Sequence, residues 1–160
     1  MNLILVDNQL EKLTSISKKV ESNFGVETIS INLDLKDENA VEKMRLEIKN
    51  VDCRLLIYNA AYSLVKPFLN HSEVELDNYI DINTRTQIKL VHQFSKILIE
   101  KKQSGGILLM SSLAGLIGMQ LVSSYAATKA FAWNLAEALH YELKPQRIDV
   151  TACIAGATAT

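Results

Sequence analysis

The stretch SLAGLIGMQLVSSYAATK, residues 112–129, connects an apolar run to a segment rich in strong helix formers. The apolar run, Ile107–Met110, predicts a buried strand that ends just before Ser112. The alanine- and leucine-rich segment from Tyr125 onward predicts a helix. A buried strand, a loop and a helix in this order form the repeating unit of a parallel α/β sheet.

Three polar side chains of this stretch are predicted to converge on one site. Residues at positions i and i+4 of a helix share a face, so the Tyr125 phenol and the Lys129 ammonium would point the same way. A cation beside a phenol favours the phenolate form, which makes Tyr125 a candidate proton donor near neutral pH. Ser112 follows the carboxyl end of a strand, where open α/β sheets bind their ligands. A tyrosine and a lysine with this spacing also occur in many helices by chance.

The pattern around these residues is more specific than the pair alone. It comprises Gly105-Gly106, the apolar strand, Ser111-Ser112, Ala114-Gly115 and Tyr125-Ala-Ala-Thr-Lys129. This pattern resembles the catalytic core of the short-chain dehydrogenase/reductase family. The resemblance implies that Ser112, Tyr125 and Lys129 are catalytic residues.

The composition is that of an ordinary globular protein. The chain has 160 residues, of which 48% are hydrophobic and 22% charged, and we expect one domain over residues 1–160. The net charge of −1 argues against nucleic acid or an anionic membrane as a partner. The apolar run Leu3–Val6 is too short for a signal peptide and no stretch approaches a membrane span, which predicts a cytoplasmic protein. The histidines and cysteines are scattered, so no metal site is expected.

Strands alternate with helices along the chain. The predicted strands are residues 3–6, 26–33, 53–58, 107–110 and 148–154, and the predicted helices are 8–23, 37–49, 72–102 and 123–143. Asn8 with Glu11, and Ser72 with Glu75, predict capping boxes at two of the helix starts. The alternation predicts a parallel sheet covered on both faces. Together with the resemblance, it indicates a three-layer Rossmann-like, doubly wound parallel α/β sheet.

A glycine-rich turn is missing from this sequence. Dinucleotide folds open with a strand, a glycine-rich turn and a helix, and the amides of the turn hold the pyrophosphate. The six glycines do not form that pattern, and the strand at Leu3 resembles the second strand of the family. We therefore expect an incomplete sheet without the family's first strand, in a fragment that also lacks the substrate loop beyond Thr160. The alternative is that the strands at Leu3 and Cys53 pair directly with each other.

The same resemblance assigns residues of the first half to the adenosine end of a cofactor. Asp7 ends the first predicted strand, where a carboxylate accepts hydrogen bonds from the ribose and repels a 2′-phosphate. The next residue is Asn8 rather than arginine, which favours NAD over NADP. Asp34 and Leu35 match the acid-plus-aliphatic pair that contacts adenine in the family. For both aspartates the alternative is an ordinary turn hydrogen bond.

Two other segments match the family where it binds the rest of the cofactor. Asn59-Ala60-Ala61 resembles an Asn-Ala-Gly motif in which the asparagine joins neighbouring strands and the small residues let the ribose approach. A purely structural role for Asn59 is an equal alternative. The segment after the last strand resembles one that fixes the nicotinamide carboxamide and the pyrophosphate. Its matching residues are Gly156, Thr158 and Thr160.

Asn83 lies inside the long predicted helix and matches the asparagine of the family's catalytic set. The resemblance implies that Asn83 holds a water that joins Lys129 to a proton relay. A lone asparagine within a helix is otherwise a surface side chain or a local hydrogen-bonding group.

The resemblance implies an NAD(P)-dependent oxidoreductase. Hydride would pass between the nicotinamide of NAD and a small carbonyl or alcohol substrate, with Tyr125 as the acid or base and Ser112 bonded to the substrate oxygen. Tyr125 and Lys129 would also contact the cofactor. The family further implies a homodimer or tetramer. The competing prediction is a catalytically inactive fragment that only associates with other chains, and cofactor binding distinguishes the two.

Overall fold

The fold is described for residues 1–156 in a computed structural model. The strands are β1 (Leu3–Asp7), β2 (Thr28–Asn32), β3 (Leu55–Tyr58), β4 (Gly105–Ser112) and β5 (Ile148–Ala155). The helices are α1 (Leu10–Phe24), α2 (Ala40–Lys49), α3 (Glu73–Ile80), α4 (Thr86–Glu100) and α5 (Ser123–Leu143). The chain divides into two compact units, the first Met1–Ala40 and the second from Val41 onward. A single domain over residues 1–160 stays a prediction.

In the first unit, β1 and β2 form a parallel pair. Leu3 lies opposite Thr28, and Asp7 lies opposite Asn32. The intervening helix α1 buries Leu13, which is 2% exposed. A parallel pair needs such a crossover connection, and α1 provides it.

The two ends of α1 differ in how well the sequence predicts them. The helix ends as expected, because Gly25 takes the left-handed conformation with φ of 61° and caps it. The predicted capping box at Asn8 is wrong, since α1 begins at Leu10 and Gln9 makes no side-chain cap. The Gln9 N–H instead donates to Asp7 Oδ1 at 2.7 Å, which turns the chain before the helix begins.

In the second unit, β3, β4 and β5 form a parallel sheet with β4 in the centre. Ile107 of β4 pairs with Val150 of β5, and both are buried, at 1% and 2% exposure. Leu109, two residues after Ile107, is also fully buried. Successive strand side chains alternate between the faces of a sheet, so these apolar residues share one packed face.

The parallel α/β Rossmann-like class predicted from the sequence is confirmed. Parallel strands joined by helices account for both units. Within residues 1–156, none of the helices is both long enough and apolar enough to cross a lipid bilayer.

The long helix predicted after Ser72 is interrupted. It consists of α3, a turn of π-helix at Asp81–Arg85, and α4. The predicted capping box at its start is confirmed: the Glu75 N–H bonds to the Ser72 hydroxyl, and the Glu75 carboxylate accepts from the Ser72 N–H. π turns insert an extra residue into a helix and often mark functional positions. Here the turn carries Asn83.

Glu75 connects this helix start to the loop after β3. Both Glu75 carboxylate oxygens accept from Lys66 Nζ, at 2.7 and 2.6 Å, and one also accepts from the Ser72 N–H at 2.8 Å. The Lys66 hydrogen bond, followed by the Ser72 N–H, lowers the pKa of Glu75 from 4.5 to about 2. The carboxylate therefore holds the loop and the helix together while it is charged.

We expect Glu75→Gln to remove a pH-dependent part of the stability. The folded pKa lies below the unfolded one, so the contribution is complete above 4.5 and is lost as the pH falls toward about 2. Chemical denaturation over this range should show the wild-type advantage over Glu75→Gln shrinking with decreasing pH. Glu73→Gln, in the same helical turn, is the matched control and should show a small difference at every pH. A wild-type advantage that does not change with pH would contradict the assignment.

Candidate active site

The two serines at the end of β4 point in different directions. Ser111 is 2% exposed, and its hydroxyl donates to the Lys129 carbonyl at 2.8 Å. Ser112 is half-buried, and its Oγ accepts from the Ala114 N–H at 3.2 Å. Accepting this bond leaves the Ser112 O–H proton able to be donated elsewhere. Strand alternation thus gives Ser111 a structural position and presents Ser112 at the strand end.

The turn after Ser112 packs directly on the backbone of α5. A Cβ atom placed on Gly115 would lie 2.7 Å from the Lys129 carbonyl carbon and 2.8 Å from the Ala130 nitrogen. Real Cβ atoms do not approach other atoms so closely. The absence of a side chain at Gly115 therefore sets how near Ser112 lies to the helix that carries Tyr125.

The predicted Tyr125–Lys129 pair comes together on one face of α5. Lys129 Nζ lies 5.5 Å from the centre of the Tyr125 ring, within cation–π range. The same Nζ donates to the Met110 carbonyl at 2.7 Å, which ties the lysine to the end of β4. Lys129 is 5% exposed, and this burial lowers its pKa from 10.5. An ammonium has three N–H donors, so bonding to Met110 leaves donors for other partners.

Asn83 is buried on the π turn, at 3% exposure. Its Nδ2 donates to the Tyr62 carbonyl and to Thr128 Oγ1, both at 2.9 Å. Its Oδ1 accepts from the Tyr62 N–H at 2.7 Å. The interpretation of Asn83 as a surface side chain is therefore wrong. A role in holding water for a proton relay stays a prediction, and the side-chain amide bonds here to protein groups.

The remaining matched residues of the second unit follow the carboxyl ends of its strands. Asn59 and Ala60 are exposed in the loop directly after β3, and Gly156 is exposed after β5. Parallel strands place their carboxyl ends at one edge of the sheet, which is where β4 presents Ser112. Thr158 and Thr160 lie outside the described residues. Binding of a cofactor by these residues stays a prediction.

Asp7, Asp34 and Leu35 lie in the first unit. Asp7 is exposed at the end of β1 and accepts from Gln9 as described above. Asp34 Oδ1 accepts from the Lys36 N–H at 3.0 Å, and its carboxylate lies 3.6 Å from Lys36 Nζ. Both aspartates thus make the turn hydrogen bonds that were the alternative interpretation, while Leu35 is half-buried. Exposed carboxylate oxygens in such turns can still accept hydrogen bonds from a ligand, so the cofactor roles stay predictions.

Residues 1–160 match the family model described as short chain dehydrogenase. The chain belongs to the short-chain dehydrogenase family. It is 30% identical to a very-long-chain 3-oxoacyl-CoA reductase of Meyerozyma guilliermondii, over 94% of this chain and 47% of that protein. It is 27% identical to the Bos taurus protein of the same name, over 100% of this chain and 52% of that protein. The chain therefore spans about half the length of these relatives.

The fold of a solved short-chain dehydrogenase agrees with this membership. A short-chain dehydrogenase from Sphingobium yanoikuyae, solved in complex with NADPH, matches with a TM-score of 0.91 at 24% identity. The match covers 99% of this chain and 62% of that one. A likeness at this identity shows the fold.

Sequence reasoning missed several side chains that hold the short-chain dehydrogenase site together. The alternation of side chains along a strand could have predicted that Ser111 is buried while Ser112 points the other way. Thr128 directly precedes Lys129, but no local pattern reveals its bond to Asn83, a residue 45 positions away. The backbone contacts of Tyr62 likewise depend on tertiary structure alone.

An exposed apolar rim lies on two loops beside the strand ends. We define the apolar rim as Val65, Phe68, Leu69, Leu113, Leu116, Ile117, Met119 and Leu121, each at least 41% exposed. The loops are joined by the Lys66 N–H, which donates to the Leu121 carbonyl at 2.9 Å. The sequence from 113 to 122 contains no charged residue. Clusters of exposed apolar side chains mark binding surfaces on soluble proteins.

Proposed function

We propose that this chain carries the catalytic core of an NAD(P)-dependent oxidoreductase that reduces a ketone to an alcohol. The observation that carries the proposal is the buried Lys129 ammonium beside the Tyr125 ring, at the end of the strand that presents Ser112. Family membership supports it, since the chain matches a dehydrogenase model over residues 1–160.

The site offers what a carbonyl reduction requires of the protein. As the carbonyl is reduced, negative charge develops on its oxygen, and positioned donors stabilise that charge. The Ser112 O–H donates a hydrogen bond to this oxygen, and the Tyr125 O–H transfers its proton to it. The Lys129 ammonium stabilises the phenolate that remains on Tyr125. The three groups thus divide binding, proton transfer and charge stabilisation among them.

The second unit fits the nicotinamide end of a dinucleotide. Lys129 has donors left for a ribose hydroxyl, and the exposed Asn59-Ala60-Ala61 loop has only small side chains after the asparagine. When bound, the cofactor supplies the hydride. These residues would hold the ribose and orient the ring toward the oxygen that Ser112 and Tyr125 would contact.

The substrate class that we infer is a 3-oxoacyl thioester with a long aliphatic chain. The apolar rim offers uncharged surface to such a chain, and burial of each methylene contributes about 0.8 kcal/mol. Relatives at 27–30% identity carry the name very-long-chain 3-oxoacyl-CoA reductase. The ketone at carbon 3 would then face Ser112 and Tyr125, while the aliphatic tail lies along the rim.

The test is turnover of a defined substrate. NADH or NADPH oxidation is followed with 3-oxopalmitoyl-CoA and with acetoacetyl-CoA. KM should be lower for 3-oxopalmitoyl-CoA, because its longer aliphatic chain contacts the apolar rim. Turnover that does not depend on chain length would contradict the assignment to the rim. Absence of both turnover and nucleotide binding would instead favour the inactive association module. Sedimentation of the same sample tests the predicted homodimer or tetramer.

We expect NAD to be preferred over NADP because of the exposed Asp7 carboxylate. Asp7→Asn removes the charge but keeps an oxygen that accepts from the Gln9 N–H. Two like unit charges about 4 Å apart in water repel each other by about 1 kcal/mol. Removal of this repulsion between residue 7 and the 2′-phosphate should therefore raise NADPH use relative to NADH roughly fivefold, measured as the ratio of kcat/KM. Glu11→Gln, an equal charge change in the same unit, is the control. An unchanged ratio in Asp7→Asn would exclude this carboxylate from the cofactor preference.

A further inference from the structure

Thr128 is buried between the two groups that the proposed reaction uses on α5. It lies one residue before Lys129 and three after Tyr125, and it is 5% exposed. Its Oγ1 donates to the Tyr125 carbonyl at 2.8 Å. A bond from a threonine hydroxyl to the carbonyl three or four residues earlier is common in helices, so this bond alone indicates no functional role.

The second bond of the same hydroxyl joins α5 to another element of the structure. Thr128 Oγ1 accepts from Asn83 Nδ2, on the π turn, at 2.9 Å. A carbonyl oxygen only accepts, so the Thr128 proton must go to the Tyr125 backbone carbonyl and the hydroxyl can only accept from Asn83. The donor and the acceptor are therefore fixed in both hydrogen bonds of the Thr128 hydroxyl.

The Asn83 amide can meet these bonds in one orientation only. One Nδ2 hydrogen goes to Thr128 and the other to the Tyr62 carbonyl, while Oδ1 accepts from the Tyr62 N–H. A flipped amide would place oxygen against the Tyr62 carbonyl and nitrogen against its N–H. The chain of bonds therefore runs in one sense only, from the Tyr125 backbone carbonyl through the Thr128 and Asn83 side chains to the Tyr62 backbone.

This chain of bonds connects two parts of the site that the backbone keeps apart. Tyr62 directly follows the Asn59-Ala60-Ala61 loop after β3, whereas Tyr125 and Lys129 belong to α5. Tyr58, at the end of β3, adds a bond from its hydroxyl to the Ile82 carbonyl on the π turn, at 2.5 Å. The π turn thus contacts both ends of the loop, and Thr128 is the side chain through which α5 joins it.

We propose that Thr128 is a positioning residue that, through Asn83, holds the segment of α5 carrying Tyr125 and Lys129 in register with the loop after β3. The inference rests on the proposed reductase function, because that reaction requires the loop after β3, which would contact the cofactor, to be aligned with the proton donor Tyr125. Loss of such alignment lowers the rate of the chemical step, and a displacement of 1 Å can cost roughly a hundredfold.

The test compares Thr128→Val, which keeps the shape of the side chain, with Thr128→Ser, which keeps the hydroxyl. Thr128→Val should lower kcat roughly tenfold to a hundredfold, with KM for the nucleotide changed less than about threefold. Thr128→Ser should recover most of the rate. Ser95→Ala is the matched control, because Ser95 is buried on α4 and its hydroxyl donates to the Val91 carbonyl of the same helix. It should leave kcat unchanged.

Hydrogen exchange of the Tyr62 amide gives a readout that does not depend on turnover. Thr128→Val removes one of the three hydrogen bonds that hold the Asn83 amide. The remaining bond to the Tyr62 N–H should then open more often, so the Tyr62 amide of Thr128→Val should exchange faster than that of wild type or Ser95→Ala. Unchanged exchange and unchanged kcat in Thr128→Val would overturn the inference, as would a rate that Thr128→Ser does not recover. A wild-type chain without turnover would overturn the proposed function alone, and the exchange result would still support or overturn the connection.

Discussion

Replacement of Tyr125 by phenylalanine should lower kcat about 10³-fold, the middle of the range for loss of a general acid. The substitution removes only the phenolic O–H, so the ring stays beside Lys129 Nζ at its present 5.5 Å. Nucleotide affinity should fall by no more than about tenfold, since the substitution removes at most one hydrogen bond to the cofactor. The measurement is kcat for 3-oxopalmitoyl-CoA reduction together with a fluorescence titration of NADH. A large loss in kcat with intact binding is the signature of a group that acts in the chemical step.

The same helix offers a matched control for this substitution. Tyr141 also belongs to α5, is 72% exposed, and packs edge-on against His140. Tyr141→Phe removes the same hydroxyl from the same helix at a distance from Lys129 and should leave kcat within about twofold of wild type. Equal rates for Tyr125→Phe and wild type would exclude Tyr125 as the proton donor and, with it, the proposed mechanism.

Gly115→Ala should destabilise the protein by about 3 kcal/mol, the upper part of the range for overpacking. The added Cβ would meet backbone atoms of Lys129 and Ala130 at 2.7–2.9 Å, and backbone in the middle of a helix cannot move aside as a side-chain end can. The turn after Ser112 must therefore move away from α5, or α5 must shift. Either movement also separates Ser112 from Tyr125, so kcat should fall together with stability.

Gly118→Ala is the control for this second prediction. It adds the same methyl group in the same loop, where nothing lies within 4 Å of the new Cβ. Loss of chain freedom in the unfolded state should make Gly118→Ala neutral or stabilising, by up to about 1 kcal/mol. The free energy of unfolding of both variants is measured by urea denaturation, and kcat is measured in parallel. The comparison distinguishes the effect of the close contact with α5 from the general effect of replacing glycine. Equal stability of the two variants would contradict the close approach at Gly115.

Local patterns in the sequence predicted much of the fold. The apolar run at Ile107 predicted the central strand β4, and the helix formers after Tyr125 predicted α5, because both patterns depend on a few neighbouring residues. The capping box at Ser72 was predicted for the same reason. The box expected at Asn8 did not form, because a turn hydrogen bond between Asp7 and Gln9 competes with it.

The sequence indicated which residues could form the candidate site, and the tertiary structure shows how they are placed relative to one another. The spacing of Tyr125 and Lys129 places them on one helix face in any α-helix, so their contact follows from local geometry. The π turn at Asn83 could not be predicted, because the pattern around it reads as continuous helix.

The sequence alone therefore determined which residues can donate protons, carry charge or end a strand, since these properties depend on residue type and on neighbours within a turn. The tertiary structure decided that Thr128 meets Asn83 and that Gly115 lies against α5. The first contact joins residues 45 positions apart, and the second joins Gly115 to Lys129, 14 positions later. Hydrogen-bond direction and steric exclusion act only between atoms already brought close. The packing of the π turn against α5 brings Asn83 to Thr128, and the packing of the end of β4 and its following turn against α5 brings Gly115 to the helix.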